Sequence, residues 1–357
     1  DTVNITAACQ CRAASYTFAV STSSLPLSTY LCHCNISRRI SGLLCTSYVP
    51  IPSQNNAPPD LSALTAYPSS STVTRYFCST CGTHLFLHHT SSSSSFSFSV
   101  STGSLDRSAG IVNFKGHMHI EPTLDGGASD WIPSIGAAAA QRWLGVPGES
   151  QAVPSGWRGV EVRGTRPTSS EKLHAYCHCR GVEFYITRPN KESRNAASPF
   201  PDLLVPYNSS SVGSSTNVPW WIPHEAPHCF LAGTCACTSC RLSSGFDFVA
   251  WAFVPASNIF QADGQPFSIP FGSMKTFASS KNVVRTFCAK CGAGVFYTNA
   301  TRPTIVDVHV GSLDAESGVR AEKWLKWETR RVSFAEEGMN EELMEGLKDG
   351  LRGWGRR

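Results

Sequence analysis

Along most of the chain, hydrophobic and polar residues alternate, or short apolar runs end at turn residues. The clearest runs are VEFYI at 182–186, FDFVAWAFV at 246–254, GAGVFYT at 292–298 and TIVDVHVG at 304–311. This pattern predicts short strands in mostly antiparallel pairs. Only FAEEGMNEELMEGLKDGLRGW at 334–354 spaces its apolar residues at helical intervals. We therefore predict a mostly β protein with a C-terminal helix.

Six short motifs occur in the same order in both halves of the chain. In the first half they are CQC at 9–11, CHC at 32–34, SG at 41–42, VPIP at 49–52, RYFCSTCG at 75–82 and GSLD at 103–106. In the second half they are CHC at 177–179, CACTSC at 235–240, SG at 244–245, FVP at 253–255, RTFCAKCG at 285–292 and GSLD at 311–314. Such an internal repeat indicates two copies of one domain.

The spacing of these motifs predicts the domain organisation. A segment rich in Gly, Pro and Ser forms the linker. The predicted parts are a first domain at 1–144, a linker at 145–172, a second domain at 173–335 and a helical tail at 336–357. Cys11 and Cys32 are separated by 20 residues, whereas Cys179 and Cys235 are separated by 55. The second copy therefore carries an insertion of about 35 residues at about 190–230, which we expect to be a loop.

Composition narrows the function classes. The 357 residues fit two domains, and only 16% are charged while 41% are hydrophobic, which is enough for two cores. The net charge of +4 comes from scattered residues with no run of five like charges, so we expect no nucleic-acid partner. No apolar run approaches the roughly 20 residues of a membrane span, so we expect no membrane partner. The N-terminal sequence DTVNITAACQC lacks a segment resembling a signal peptide, which favours a cytoplasmic location.

The chain has 15 cysteines, an odd number, and most of them stand in CxC or CxxC pairs. Disulfides and metal ligands are the two interpretations. Disulfide scaffolds are normally short secreted chains. Two cysteines in a CxC motif on a strand share one face, where they suit one metal better than a bond to each other. We therefore expect metal sites.

Two outer sites follow from pairing each first CxC motif with the CxxCG motif of the same half. Their ligands would be Cys9, Cys11, Cys78 and Cys81 in the first copy, and Cys177, Cys179, Cys288 and Cys291 in the second. Four thiolates form a closed tetrahedral shell, which is typical of structural zinc. The glycine after each CxxC allows the left-handed turn that closes such a loop.

A third site is formed by Cys235, Cys237 and Cys240. Three thiolates leave one position on zinc open, which is typical of a catalytic site. With a net charge of about −1, such a centre favours a soft incoming ligand, above all another thiolate. The alternative is a closed site in which a distant side chain supplies the fourth ligand. The candidates for that ligand are Cys229, His228 and His224.

In the first copy the corresponding motif has lost one ligand. Cys32 and Cys34 remain as candidate metal ligands, but Ser37 stands where the second copy has Cys240. We therefore expect about three zinc ions per chain and no catalysis in the first domain.

The combined order of CxC, CxCxxC, SG, VP, RxFCxxCG and GSLD resembles the family of glutathione-dependent formaldehyde-activating enzymes, which includes the centromere-protein-V-like proteins. The resemblance covers about 110 to 150 residues of each half. It implies two tandem β-tent domains of small antiparallel sheets, structural zinc on the outer cysteines and catalytic zinc on the central CxCxxC motif. It also implies carbon–sulfur bond chemistry on glutathione or its adducts.

The function predicted from these observations is a zinc-dependent carbon–sulfur lyase that acts on a small thiol or thiol adduct in the second domain. Glutathione is the expected co-substrate. Zinc would hold the substrate sulfur as a thiolate while the neighbouring C–S bond forms or breaks. The identity of the carbon substrate, the direction of the reaction and the oligomeric state stay open.

Several side chains near the CxCxxC motif are candidates for further roles. His224 and His228, which flank Glu225 just before the motif, are the favoured proton-transfer groups, and His309 is the other candidate. Arg241 either binds a substrate carboxylate or acts as a hydrogen-bond buttress. Trp220 and Trp221 form either a lid or ordinary packing.

Two other functions fit the same motifs. One is a non-enzymatic zinc scaffold, against which the intact Cys240 argues because a scaffold does not need an open coordination position. The other is a diverged isomerase, cyclase or lyase that acts on a larger metabolite without glutathione. The long aromatic insertion favours some divergence of this kind.

Overall fold

The computed structural model describes residues 1–53, 56–90, 98–159, 171–198, 204–205 and 219–356. Within these ranges the chain is mostly β, with small sheets and three α-helices, one of them C-terminal. The predicted fold class is thus confirmed. The serine tract at 91–95, most of the predicted linker's second half and much of the insertion lie outside the described residues.

The first half of the chain contains twelve strands and one α-helix among its described residues. These are β1 (Thr2–Ala8), β2 (Ser15–Ser21), β3 (Leu27–Cys32), α1 (Asn35–Ser41), β4 (Tyr48–Pro50), β5 (Leu64–Pro68), β6 (Val73–Cys78), β7 (His84–His89), β8 (Phe98–Ser101), β9 (Val112–Met118), β10 (Ser134–Ile135), β11 (Ala138–Ala139) and β12 (Gln141–Arg142).

The described part of the second half contains ten strands and two α-helices. These are β13 (Lys172–Tyr176), β14 (Glu183–Thr187), β15 (Phe230–Cys235), α2 (Thr238–Ser244), β16 (Val249–Pro255), β17 (Ile259–Gln261), β18 (Met274–Ser280), β19 (Val283–Cys288), β20 (Gly294–Asn299), β21 (Ile305–His309), β22 (Leu325–Ser333) and α3 (Glu341–Trp354). The four segments with the clearest strand patterns correspond to β14, β16, β20 and β21.

The two halves contain equivalent strands, which form one sheet in the second half and two sheets in the first. In the second half one seven-stranded sheet has the order β18-β19-β20-β21-β16-β15-β22. In the first half the equivalent strands form two sheets, β4-β8-β7-β6-β5 and β12-β9-β3, linked by the bridge between Cys32 and Thr46. The pairs β15–β22, β3–β9 and β9–β12 are parallel, which strand patterns alone did not predict. β16 is buried along its whole length because it lies between β15 and β21.

The two repeats contact each other through matching surfaces related by approximate twofold symmetry. The Arg38 guanidinium donates to the carbonyls of Gly311 (2.7 Å) and Leu313 (2.8 Å). In the matching contact, Arg241 donates to the carbonyls of Gly103 (2.6 Å) and Leu105 (3.2 Å). Each central helix therefore packs against the GSLD segment of the other repeat, as subunits do in a symmetric dimer.

Two glycines permit this close approach. Gly42 and Gly245 end α1 and α2 with φ of +80° and +75°, in the left-handed region. A Cβ on Gly42 would lie 2.3 Å from the carbonyl oxygen of Gly294, and a Cβ on Gly245 would lie 2.4 Å from that of His84. Any larger residue would therefore strain the backbone and separate the repeats.

The predicted C-terminal helix is confirmed as α3, which begins at Glu341. It starts later than the apolar pattern because residues 335–337 form a short 3-10 turn and the Asn340 side chain caps Leu343 N–H. Its buried face packs against β22 and β10, so it joins strands from both halves. No helix among the described residues is both long and apolar enough to cross a membrane.

Candidate metal centres

The outer cysteines form two four-membered groups, with the ligand sets that the sequence predicted. In each group the four sulfur atoms lie within 4.8 Å of one another. The CxC cysteines do not lie on a strand face as assumed, but in the turns that follow β1 and β13. Arg12 and Arg180 adopt φ of +63° and +55° in these turns, so each turn contains one residue in the left-handed region directly after the CxC motif. All 15 cysteines lie in the described residues and are free thiols.

The surroundings of the outer groups suit thiolates. The backbone N–H groups of Ala14 and Val182 each point at a CxC sulfur at 3.3 Å. The Ser273 hydroxyl lies 3.1 Å from the Cys288 sulfur. Hydrogen bonds of this kind stabilise negative charge on sulfur. Four buried or half-buried sulfur atoms with N–H donors fit a tetrahedral metal site that is closed to substrate.

The central cysteines of the second repeat form a group of three. Cys235 ends β15, Cys237 is the N-cap of α2, and Cys240 lies in the first turn of that helix. The Cys240 N–H donates to the Cys237 sulfur at 3.3 Å, which fixes the loop. Within the described residues, no further Cys, His, Asp or Glu belongs to this group. The cluster therefore offers three ligands rather than four.

Arg285 is the charged side chain next to this cluster. Its Nη2 lies 3.5 Å from the Cys240 sulfur and donates to the Ser239 hydroxyl at 3.1 Å. Arg285 is only 6% exposed and forms no ion pair with a carboxylate in the described part of the chain. Burial opposes its charge, but the neighbouring Cys240 outweighs burial and the pKa of Arg285 is raised. A buried cation at this place offsets the negative charge of a three-thiolate centre.

A chain of contacts connects this site to the first repeat. The Gln10 side-chain amide donates to the Ser239 hydroxyl at 2.9 Å, and Ser239 accepts from Arg285. Gln10 lies between two outer cysteines of the first repeat. The first repeat therefore helps to position Ser239 and, through it, Arg285.

His309 lies at the end of β21 and packs on Trp251, with ring centroids 4.1 Å apart. Burial lowers the pKa of His309 to about 3, with Arg285 adding to this effect and Cys240 opposing it. Its Nδ1 has no hydrogen-bond partner among the described residues. His309 is therefore a neutral imidazole that couples electrostatically to the three-cysteine site.

The favoured proton-transfer histidines lie elsewhere, and this corrects the sequence interpretation. His224 and His228 are exposed and precede β15, whereas Cys235 ends that strand. At roughly 3.3 Å per residue, the length of β15 separates them from the cysteines. They do not complete the cluster as a fourth ligand, and neither does Cys229.

The region around His224 is instead a separate groove. This cavity of about 1430 Å³ lies between the end of the insertion, β22 and the end of α3. Trp220 packs on Phe253, and Trp221 is buried with its indole N–H on the Ser193 carbonyl. The packing interpretation of the two tryptophans therefore fits the structure better than a lid over the cysteines.

Arg241 is the second correction. Its buried guanidinium donates to carbonyls of the first repeat, as described for the repeat contact. Arg241 therefore acts as a hydrogen-bond buttress, and the proposed binding of a substrate carboxylate does not fit its position.

The central motif of the first repeat has the same backbone geometry with fewer ligands. Cys32 ends β3 and Cys34 caps α1, with their sulfur atoms 3.5 Å apart. Ser37 occupies the place of the third cysteine and accepts from Arg75 Nη2 at 3.0 Å. These two cysteines belong to no group of three or more candidate ligands among the described residues.

Sequence reasoning missed the roles of Arg285 and Gln10. Arg285 belongs to the RxFCxxCG motif that recurs in both halves, so its recurrence was a usable signal. Gln10 acts across the contact between repeats, and nothing in its local sequence indicates that contact.

Fold and site together define a β protein of two tandem repeats with three cysteine clusters that could hold metal ions, two of four cysteines and one of three. A family model described as glutathione-dependent formaldehyde-activating enzyme matches residues 4–121 and 224–328, more than half of the chain. The chain belongs to this family. No curated protein matches the chain. Cys177 and Cys179 lie outside the second matched region, yet the structure joins them to Cys288 and Cys291.

Proposed function

We propose that the chain is a zinc-dependent carbon–sulfur lyase that acts on a thiol adduct, with glutathione or a related thiol as partner. The observation that carries this proposal is the cluster of Cys235, Cys237 and Cys240, to which the described part of the chain adds no fourth Cys, His, Asp or Glu ligand. Family membership supports the class of chemistry. The two four-cysteine clusters are proposed to hold structural zinc, which gives three zinc ions per chain. The proposed compartment is the cytoplasm, where cysteines persist as thiols and thiolates.

Bound to the three central cysteines, zinc would supply a Lewis-acidic position that holds a substrate sulfur as a thiolate. The chain's own side chains would set up this position. Arg285 holds the Cys240 sulfur and balances the charge of the site, while Ser239 and Gln10 hold Arg285. The buried ring of Trp251 packs on His309.

His309 is the proposed proton-transfer group. As a neutral imidazole with a free Nδ1, it can accept a proton at that atom or donate one after protonation. Its depressed pKa keeps it neutral at physiological pH, so its protonated form would be a strong acid toward a leaving oxygen or carbon. This role replaces the one that the sequence favoured for His224 and His228.

A second candidate keeps the metal site but takes a larger metabolite without glutathione. The observation that favours it is the groove beside Trp220, Trp327 and Trp354. The groove lies along the β15–β22 pair, and β15 carries Cys235 at its other end.

Calorimetry with glutathione tests the proposed function directly. We expect the zinc-loaded chain to bind glutathione, and Cys240→Ser to weaken this binding at least about tenfold, because the thiolate loses its place on the metal. Cys229→Ser is the matched control, since Cys229 is buried but belongs to no cluster. Equal binding by Cys240→Ser and the wild type would contradict the proposal, and absence of binding in the wild type would favour the second candidate.

Restoring the third cysteine of the first repeat should create a metal site. Ser37→Cys would place a sulfur where Arg75 already donates, as Arg285 does toward Cys240. We expect native mass spectrometry to count three zinc ions in the wild type and four in Ser37→Cys. A wild type with four zinc ions, or a variant with three, would show that ligand number does not decide occupancy here.

A further inference from the structure

The two cysteines left in the central motif of the first repeat share their surroundings with a buried arginine. The Cys32 and Cys34 sulfur atoms are 3.5 Å apart, and the Ser37 hydroxyl lies 3.5 and 3.3 Å from them. Both cysteines are half-buried, as are the candidate ligands Cys11, Cys179 and Cys237 of the other clusters. Sulfur atoms this close can bind a single ion without a change of backbone.

Arg75 is the second observation at this site. It is only 7% exposed, its Nη2 donates to Ser37, and its Nε has no hydrogen-bond partner among the described residues. In the described part of the chain no carboxylate forms an ion pair with it. A buried cation is costly unless negative charge lies nearby, and the Cys32 and Cys34 sulfur atoms can carry that charge as thiolates.

Comparison of the two central sites gives the size of that charge. In the second repeat, three thiolates and a divalent ion sum to about −1, which the buried Arg285 offsets. In the first repeat, two thiolates with a divalent ion would sum to zero and leave Arg75 uncompensated. Two thiolates with a monovalent ion sum to −1, and Arg75 then brings the total to zero.

We propose that Cys32 and Cys34 bind a soft monovalent ion of the Cu(I) and Ag(I) class. Thiolates are the ligands that select Cu(I), and two sulfur atoms suffice for an ion of this class, whereas structural zinc uses four protein ligands. Binding forms two metal–sulfur bonds and releases to solvent any proton that the two sulfur atoms still carry, with no change of oxidation state. The neutral Ser37 hydroxyl accepts from Arg75 and keeps the arginine beside the sulfur atoms.

The charge comparison rests on the proposed zinc site of the second repeat, but the experiment reads the two sites separately. The zinc-loaded full chain is titrated without oxygen against Cu(I) held by a competing chelator, and native mass spectrometry counts each metal. We expect the first equivalent of Cu(I) to add while three zinc ions remain. Cys34→Ser should lose this equivalent and Cys229→Ser should keep it. Cys240→Ser should keep it and bind a second one, because a serine at position 240 beside Cys235, Cys237 and Arg285 reproduces the arrangement of the first repeat.

Two further variants test the charge argument. Arg75→Met should weaken Cu(I) binding about tenfold or more, and Arg75→Lys should restore most of it, since both keep a long side chain. Ser37→Cys should fill the site with zinc and exclude the added Cu(I). A count of three zinc ions in Arg75→Met and in Arg75→Lys confirms that both variants are folded.

The proposal is overturned if Cys34→Ser takes up the first equivalent as the wild type does, because Cu(I) then binds elsewhere. It is also overturned if the wild type holds a fourth zinc that Cys34→Ser loses, or if the first Cu(I) displaces a zinc ion. Equal glutathione binding by Cys240→Ser and the wild type, with this Cu(I) site intact, would overturn the proposed function alone.

Discussion

Cys240→Ser is expected to abolish turnover while the second repeat stays folded. The variant loses one of the three ligands, so the metal and the substrate thiolate lose their common site. Turnover should fall at least about 10³-fold. This is more than the 10- to 100-fold that is typical when a residue hydrogen-bonded to a metal ligand is changed. The measurement is turnover with glutathione and a panel of aldehydes, together with a zinc count that falls from three to two.

The first repeat explains why the fold should survive this change. Ser37 already occupies the equivalent position there, with α1 intact and Arg75 bonded to the serine hydroxyl. A serine at position 240 can accept from Arg285 in the same way. Cys229→Ser should keep full activity. If Cys240→Ser lost one zinc but kept its turnover, the chemistry would have to occur at another site.

The repeat and its cysteine motifs were sufficient to predict the mostly β fold and which eleven cysteines come together in three groups that could hold a metal ion. They were sufficient because ligand identity and order are local properties of the chain. The distance from His224 and His228 to the cysteines at the far end of β15 was not predictable in this way. His224 is close to Cys235 in sequence, but an extended strand between them converts a short sequence separation into a long distance.

Contacts between the repeats were the other part that the sequence could not supply. Arg241 follows a candidate metal ligand, which is compatible with a role at the substrate, yet its guanidinium donates to carbonyls of the other repeat. Its counterpart Arg38 does the same at the degenerate motif. The presence of this arginine at a motif with a missing ligand is the sequence signal for a structural role.

Cys288→Ser should have the opposite outcome to Cys240→Ser and prevent the second repeat from folding. Cys288 is fully buried at the end of β19, and its cluster ties this strand to the turn between β13 and β14. Structural zinc contributes about 10–16 kcal/mol in small zinc domains, which is comparable to the whole stability of a typical domain, roughly 5–15 kcal/mol. Chemical unfolding followed by near-UV circular dichroism measures the loss.

Cys229→Ser, a buried cysteine outside the clusters, should cost only about 1 kcal/mol and serves as the control. If Cys288→Ser and Cys240→Ser were equally stable, the division into structural and catalytic sites would be wrong.

Cys78→Ser makes the matching change in the first repeat. Because Arg38 and Arg241 bond each repeat to the other, we expect either outer-site variant to unfold both repeats in one transition. Two separate transitions would mean that each cluster stabilises its own repeat and that the contact between them adds little to stability.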